Sequence, residues 1–233
     1  VKNMVVRYKG LLENVDDLTD NLKAEANYWI GWGMVKTNQP KESATYLNAA
    51  RDLRPEAYAK HAGLLLELSH FAAQDPDNLA TEIGLAIKGE YIDDVPNQAI
   101  QWSGMQAYNA GDFSNTARFL KIVANPDEPR VTPKEIWRYL AKSLIETGKP
   151  EDALPALANV LDVEENPAWK ADALLDRARA LYDLKRFGES RKTADEALAL
   201  QPQGRTSAYL RIVSGNLHIQ EENIGQAAAD YLY

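Results

Sequence analysis

The fold of this 233-residue chain is decided by the stretch from Thr132 to Val163, which reads TPKEIWRYLAKSLIETGKPEDALPALANVLDV. Apolar residues recur three and four positions apart on both sides of a break at Gly148-Lys149-Pro150, and this spacing is typical of two amphipathic helices. Because the break is short, the two helices are expected to form an antiparallel hairpin. Thr132-Pro133-Lys134-Glu135 has the spacing of a capping box, which predicts that the first helix begins at Pro133 with Thr132 as its N-cap.

Similar helix-breaking and helix-capping residues divide the rest of the chain. Breaks at Gly111-Asp112 and Lys185-Arg186 separate further helical segments, while Asp75-Pro76 and Asn166-Pro167 place a capping side chain before a helix-starting proline. About thirteen helices are predicted, and the sequence lacks the alternating runs of β-branched residues that are typical of strands. We therefore expect an all-α fold.

A small residue recurs near the middle of the first helix of every hairpin. The spacings are 31, 42, 37, 37 and 36 residues, and the small residues are Gly31, Ala62, Gly104, Ala141, Ala178 and Ser214. The longest step is absorbed by the segment Tyr91 to Pro96. Small side chains let helices approach closely, and stacked hairpins bury the apolar faces that one hairpin leaves open. The repeat predicts a single α-solenoid over residues 1–233, a right-handed superhelix of about six helical hairpins.

These hairpins resemble the tetratricopeptide repeat (TPR) family. The resemblance is carried by Trp137-Leu140-Ala141-Leu144-Gly148-Ala153, by Leu174-Ala178-Leu181-Phe187-Ala194-Ala197-Pro202 and, more loosely, by Ile30-Gly31-Met34-Ala50-Pro55. It implies a non-catalytic protein–protein interaction scaffold. Tyr28-Trp29-Ile30-Gly31 is also similar to the opening of repeats in bacterial cell-envelope proteins. That likeness implies a role in bacterial envelope assembly and a location in the periplasm or cell envelope.

One face of each first helix is the expected binding surface. Positions three before, one after and four after the small residue form a single row, and in the TPR family this row lines the concave groove that holds peptides. The resemblance therefore implies these partner-binding residues: Tyr28, Trp32, Met105, Tyr108, Arg138, Lys142, Arg179, Tyr182 and Arg211. The row is apolar and aromatic in its first half and carries four cations in its second half. A protein or peptide partner with hydrophobic anchors at one end and carboxylates at the other would suit it.

The same residues also have a purely structural interpretation. Tyr28 and Trp32 are spaced as aromatic residues of a helical core would be. The cations have possible partners on their own helices, because Glu135, Glu146, Asp176 and Asp183 lie three or four residues from Arg138, Lys142 or Arg179. The sequence leaves both interpretations open.

Composition argues against several other classes of protein. Lys and Arg number 26 and Asp and Glu 34, so the net charge is −8 and nucleic acid is not an expected partner. An apolar run of 18 residues, as a membrane span requires, is absent from the sequence. The sequence contains no cysteine, which excludes thiolate metal sites and cysteine nucleophiles.

The sequence has few residues arranged for catalysis. Glu67 and His70 have the Glu-x-x-His spacing of a helical metal site, but the second pair that such a site needs is missing, so His70 is expected on a helix surface. Acidic pairs such as Glu164-Glu165 are expected to be solvated. We therefore expect no enzymatic activity, no metal and no cofactor. The alternatives to a binding scaffold are a helical accessory domain of an enzyme and a structural spacer.

The two ends of the sequence read as incomplete repeats. An apolar stripe over residues 1–22 predicts the second helix of a truncated repeat, and its members are Met4, Val5, Tyr8, Leu11, Leu12, Val15 and Leu18. At the other end, Ala227, Ala228, Tyr231 and Leu232 precede no closing proline. The expectation is a fragment of a longer protein that associates weakly with itself through its end helices.

Overall fold

A computed structural model describes residues 1–232, and its regular structure there consists of thirteen α-helices, one 3-10 turn and no strand. The helices are α1 (Lys2–Asn14), α2 (Asp20–Lys36), α3 (Pro40–Leu53), α4 (Pro55–Ala72), α5 (Pro76–Lys88), α6 (Asn97–Asn109), α7 (Phe113–Val123), α8 (Lys134–Glu146), α9 (Pro150–Val163), α10 (Pro167–Asp183), α11 (Phe187–Ala199), α12 (Gly204–Gln220) and α13 (Ile224–Leu232). The 3-10 turn, Ile92–Asp94, lies inside the predicted longest spacer. The all-α prediction and the number of helices are confirmed.

The chain divides into two compact units, Val1–Gln106 and Ala107–Tyr233. In the first unit, α2 packs against α1 and α3, and α4 packs against α3 and α5. In the second unit, α8 packs against α7 and α9, α10 against α9 and α11, and α12 against α11 and α13. Each unit is thus a stack of antiparallel helices in which most contacts join neighbours in sequence, as in helical repeat proteins.

The small residues predicted in the first helices lie where helices approach closely. All six are buried, namely Gly31, Ala62, Gly104, Ala141, Ala178 and Ser214. A Cβ atom added at Gly31 would lie 2.6 Å from Leu47 Cγ on the next helix. A larger side chain at Gly31 would require Leu47 to move, so the close approach predicted at this position is confirmed.

Two of the predicted helix caps form and one does not. Asp75 accepts a hydrogen bond from the Asn78 amide, and Asn166 accepts from the Ala168 amide. The capping box at Thr132 is wrong, because α8 begins at Lys134 without a side-chain cap. The Thr132 hydroxyl instead accepts a hydrogen bond of 2.9 Å from the Asn125 amide, which closes the loop between α7 and α8.

The N-terminal apolar stripe does not lie on one continuous helix. Helix α1 ends at Asn14, and Val15 is extended and exposed. Helix α2 begins only at Asp20, where the Thr19 hydroxyl accepts a hydrogen bond from the Leu22 amide. The predicted helix over residues 1–22 is therefore wrong in extent, because the Thr19 cap starts a new helix.

Two polar residues expected at the surface, His70 and Glu164, are buried, and so is Glu67 beside His70. His70 is 9% exposed, with Nδ1 3.5 Å from an Asp75 carboxylate oxygen, because the start of α5 covers the end of α4. Glu67, one turn earlier, is fully buried. Glu164 is also buried, where it accepts hydrogen bonds from Lys134 Nζ and the Asn166 amide. The predictions of a surface His70 and a solvated Glu164 are wrong.

Candidate peptide-binding groove

A groove of about 750 Å³ crosses the second unit, and it is lined mainly by first helices of successive hairpins, α8, α10 and α12, with the end of α6. Its charged residues are the cations Arg138, Lys142, Arg179 and Arg205 and the anions Glu146, Asp172 and Asp176. Its aromatic residues are Tyr108, Phe113, Tyr139, Trp169 and Tyr209. The groove thus combines apolar area with charges of both signs, as protein-binding surfaces do.

Four of the nine residues predicted from the sequence line this groove. They are Tyr108, Arg138, Lys142 and Arg179. Arg138 and Lys142 lie four residues apart on α8, so one face of that helix carries both. The predicted row therefore lies on the groove-facing side of α8 and α10, and its role in binding stays a prediction.

The other predicted residues lie outside the groove. The Tyr182 ring packs against Phe187 at the edge of a hydrophobic cluster. Arg211 is half-buried on α12 and does not belong to the lining.

The remaining three predicted residues, Tyr28, Trp32 and Met105, belong to the first unit and are all half-buried. The Tyr28 ring lies 5.1 Å from that of Tyr58, and Trp32 packs edge-on against Trp29. The assignment of these three residues as binding residues stays a prediction.

Aromatic rings of the groove contact two of its arginines and stack on each other. Tyr108 and Tyr139 stack with their ring centroids 4.3 Å apart. The Arg138 guanidinium lies 3.7 Å from the centroid of Trp169, within the range of a cation–π contact. Arg205 makes a longer contact of 5.1 Å with Tyr209. Stacking of this kind fixes the guanidinium plane while leaving its N–H edge open to a ligand.

The ion pairs inside the groove are long. Lys142 Nζ lies 4.0 Å from Asp176, and Arg179 lies 3.8 Å from Asp176 and 3.9 Å from Glu146. These distances exceed hydrogen-bond range, so the donors of both cations are not bonded to these carboxylates. By contrast, the pair of Arg51 with Glu82, on α3 and α5, closes to 2.6 Å.

Burial shifts the titration of two groove residues. Burial raises the pKa of Asp176, an effect that Lys142 and Arg179 oppose and that Asp172 and Glu146 reinforce. Burial likewise raises the pKa of Tyr108, with the negative charge of Asp176 adding to the rise. Asp176 therefore protonates more readily than an exposed aspartate.

The sequence analysis missed several groove residues that share repeat positions. Trp169 and Arg205 each lie nine residues before a small residue, Ala178 and Ser214 respectively. They occupy the same register, one or two turns before the predicted row. The signal that could have found them is this shared position nine residues before the small residue, which an extension of the predicted row does not reach.

The described residues show little else that suggests a site. Over residues 1–232, no group of three or more histidine or acidic residues is placed to hold a metal ion. A second, shallower cavity of about 410 Å³ lies near the start of α8, where Arg130 lies 3.5 Å from Asp162. No helix between residues 1 and 232 has the length and apolar character to cross a bilayer.

Comparison with known proteins identifies the repeats. Residues 144–214 match the family described as tetratricopeptide repeat. This part of the chain is therefore similar to tetratricopeptide repeats. The matched segment runs from the end of α8 into α12, so it supplies the groove residues Glu146, Trp169, Asp172, Asp176, Arg179, Arg205 and Tyr209.

Three solved structures are similar to this chain. A structure of PilF from Pseudomonas aeruginosa is 18% identical, with 91% of this chain and 90% of that chain covered and a TM-score of 0.44. A chain of the APC/C hetero-tetramer Cut9–Hcn1 is 13% identical, with coverage of 98% and 41% and a TM-score of 0.45. The apo form of RapI is 12% identical, with coverage of 96% and 85% and a TM-score of 0.37. No curated protein sequence matches the chain.

Proposed function

We propose that this TPR chain is a scaffold whose groove in the second unit binds a partner segment that carries acidic and apolar side chains. Tetratricopeptide repeats generally form a non-catalytic protein-interaction fold, and their stacked first helices create extended binding surfaces. The observation that carries the proposal is the state of the groove cations. Lys142 and Arg179 stand 3.8–4.0 Å from their carboxylates, and Arg138 is stacked on an aromatic face.

The groove cations offer hydrogen-bond donors to an incoming carboxylate. Guanidinium groups bind carboxylates through two parallel N–H donors. A stacked arginine is already restricted in its motion, so binding costs it little further conformational freedom. The phenol rings of Tyr108 and Tyr139 provide apolar area beside these donors. A partner segment with carboxylates and large apolar side chains would use both features.

The envelope role is a finer part of the same proposal. It is supported by the likeness of Tyr28-Trp29-Ile30-Gly31 to repeats of bacterial envelope proteins, which would put the protein in the periplasm or cell envelope. Weak self-association through the end helices also stays a proposal. Its support is the exposure of Val6, at 69%, and of Leu232, at 87%.

Selection of peptides with the full chain tests the binding function directly. Random twelve-residue peptides displayed on phage should yield binders that are enriched in Asp and Glu and carry at least one large apolar residue. Reversing the charge of the groove with Arg138→Glu and Lys142→Glu should weaken the selected peptides about tenfold or more and flatten the salt dependence of their affinity.

A matched variant controls for net charge. Lys121→Glu and Lys192→Glu change the charge of the chain equally at exposed positions outside the groove lining. Equal loss of affinity in both double variants would contradict groove binding. Failure to select any peptide with the full chain would favour the structural spacer.

A further inference from the structure

The carboxylate of Asp176 lies close to two cations of the groove, Lys142 and Arg179. Its Oδ1 atom is 4.0 Å from Lys142 Nζ and 3.8 Å from Arg179 Nη1. Lys142 comes from α8, whereas Asp176 and Arg179 come from α10, so the carboxylate connects two successive first helices. It lies beside the donors that an acidic partner segment would need.

The other two groove carboxylates differ from Asp176 in their partners. Asp172, one turn earlier on α10, accepts a hydrogen bond from the Thr206 hydroxyl of α12. Glu146, at the end of α8, lies 3.9 Å from Arg179, and 34% of its side chain is exposed. Only 19% of the Asp176 side chain is exposed. Of these three carboxylates, Asp176 is therefore the one in contact with both cations.

We propose that Asp176 is an internal competitor for the groove cations: its negative charge reduces the affinity of the chain for acidic segments at Lys142 and Arg179, and its protonation removes this effect. This inference rests on the proposed binding function, because it concerns the same groove. A ligand carboxylate at Lys142 and Arg179 would bring a second negative charge next to Asp176. In a partly buried site that repulsion is costly, and protonation of Asp176 removes it.

The charged and titratable groups around Asp176 determine the direction of its pH response. They come from every first helix of the groove: Tyr108 on α6, Lys142 and Glu146 on α8, Asp172 and Arg179 on α10, and Arg205 on α12. Burial raises the pKa of Asp176 above that of an exposed aspartate. As pH falls, Asp176 becomes neutral while the lysine and the arginines keep their charge. Affinity for a permanently charged acidic peptide should therefore rise toward acidic pH.

Asp176→Asn mimics the protonated side chain at nearly the same volume. The probe is the tightest acidic peptide from the selection above, resynthesised with cysteic acid in place of Asp and Glu so that its own charge does not change with pH. With the full chain at pH 7, Asp176→Asn should bind this probe about threefold to tenfold more tightly than the unmodified protein, with a steeper salt dependence.

Asp172→Asn is the matched control, because it removes the same charge one turn away. Its effect on affinity should be less than half, on a logarithmic scale, of the effect of Asp176→Asn. An equal gain in both variants would show that only net charge matters and would overturn the inference. Unchanged or weaker binding by Asp176→Asn would also overturn the inference. The proposed function would still stand in that case, provided that the unmodified protein binds the probe.

The pH profile of the unmodified chain is a second test that needs no altered side chain. Its affinity for the cysteic acid probe should rise between pH 7 and pH 5, and the profile of Asp176→Asn should be flatter over the same range. Parallel profiles in the two proteins would assign the pH response to another group and contradict the role of Asp176. Absence of any probe binding at either pH would instead contradict the proposed function.

Discussion

Glu67 is the residue with the least favourable surroundings in the first unit. It is fully buried on α4, and neither of its carboxylate oxygens has a hydrogen-bond partner. Burial, together with the negative charge of Glu82 on α5, raises the pKa of Glu67 to about 8. Its neighbour Glu82 is by contrast bonded at 2.6 and 3.1 Å by both terminal nitrogens of Arg51. The charge of Glu82 is therefore compensated, whereas the charge that Glu67 would carry is not.

Replacing Glu67 by Gln should stabilise the protein, and more so as pH rises. The folded state holds Glu67 neutral with a pKa of about 8, whereas the unfolded chain ionises it near pH 4.5. The contribution of Glu67 to stability is therefore full below pH 4.5 and is lost as pH rises through 8. Thermal unfolding followed by circular dichroism should show a gap in favour of Glu67→Gln that widens by up to about 1.4 kcal/mol per pH unit in this range.

Glu82→Gln is the control for this prediction. It breaks a buried ion pair and should destabilise the protein at pH 7, because the glutamine keeps only one of the two oxygen acceptors and has no charge to balance that of Arg51. A gap between Glu67→Gln and the unmodified protein that stayed constant from pH 5 to pH 8 would contradict the account of Glu67.

The sequence predicted which small residues are buried in the first helices, but it did not predict which polar residues are buried. Gly31 and Ala178 were found because a small residue recurs at a fixed spacing. The burial of Glu67 and His70 was not predictable in this way, because it depends on the side of α4 that α5 covers. Local spacing carries no information about that choice.

At the scale of helices, the close contact between α2 and α3 predicts that a larger residue at Gly31 destabilises the protein. Gly31→Ala would bring a methyl group to 2.6 Å from Leu47 Cγ. The helices must move apart to relieve this overlap, and such overpacking typically costs about 1–3 kcal/mol. We expect a lower thermal midpoint for this variant.

Gly188→Ala in α11 provides the opposite case. Nothing lies within 4 Å of the added methyl group, and Gly188 is already helical. Alanine should therefore stabilise this helix by about 0.5–1 kcal/mol, because it restricts the unfolded chain and favours the helix. A rise in stability for Gly31→Ala as well would show that α2 and α3 are not packed as closely as described.

Two helix starts were predictable because a capping side chain stands directly before a proline. The starts of α5 and α10 follow the Asp-Pro and Asn-Pro pairs. The start of α8 was mispredicted because Thr132 bonds to Asn125, seven residues away, rather than to its own helix. Capping motifs are local, and a tertiary hydrogen bond can displace them.

At the scale of the whole molecule, the average charge hides the character of the groove. The chain carries a net charge of −8, yet four cations line the groove of the second unit. The helical period placed Arg138, Lys142 and Arg179 on that surface correctly. It could not place Trp169 and Arg205 there, because the contribution of each helical turn depends on how far neighbouring helices are offset along their axes.

The central claim is that acidic segments bind across the first helices of the second unit. A crystal structure of the full chain with the tightest selected peptide tests it most directly. The account predicts a peptide that crosses α8, α10 and α12, with at least one carboxylate bonded to Arg138, Lys142, Arg179 or Arg205 and an apolar side chain against Tyr108 or Tyr139. A peptide bound instead to the second helices α9 and α11, with the groove empty, would contradict it.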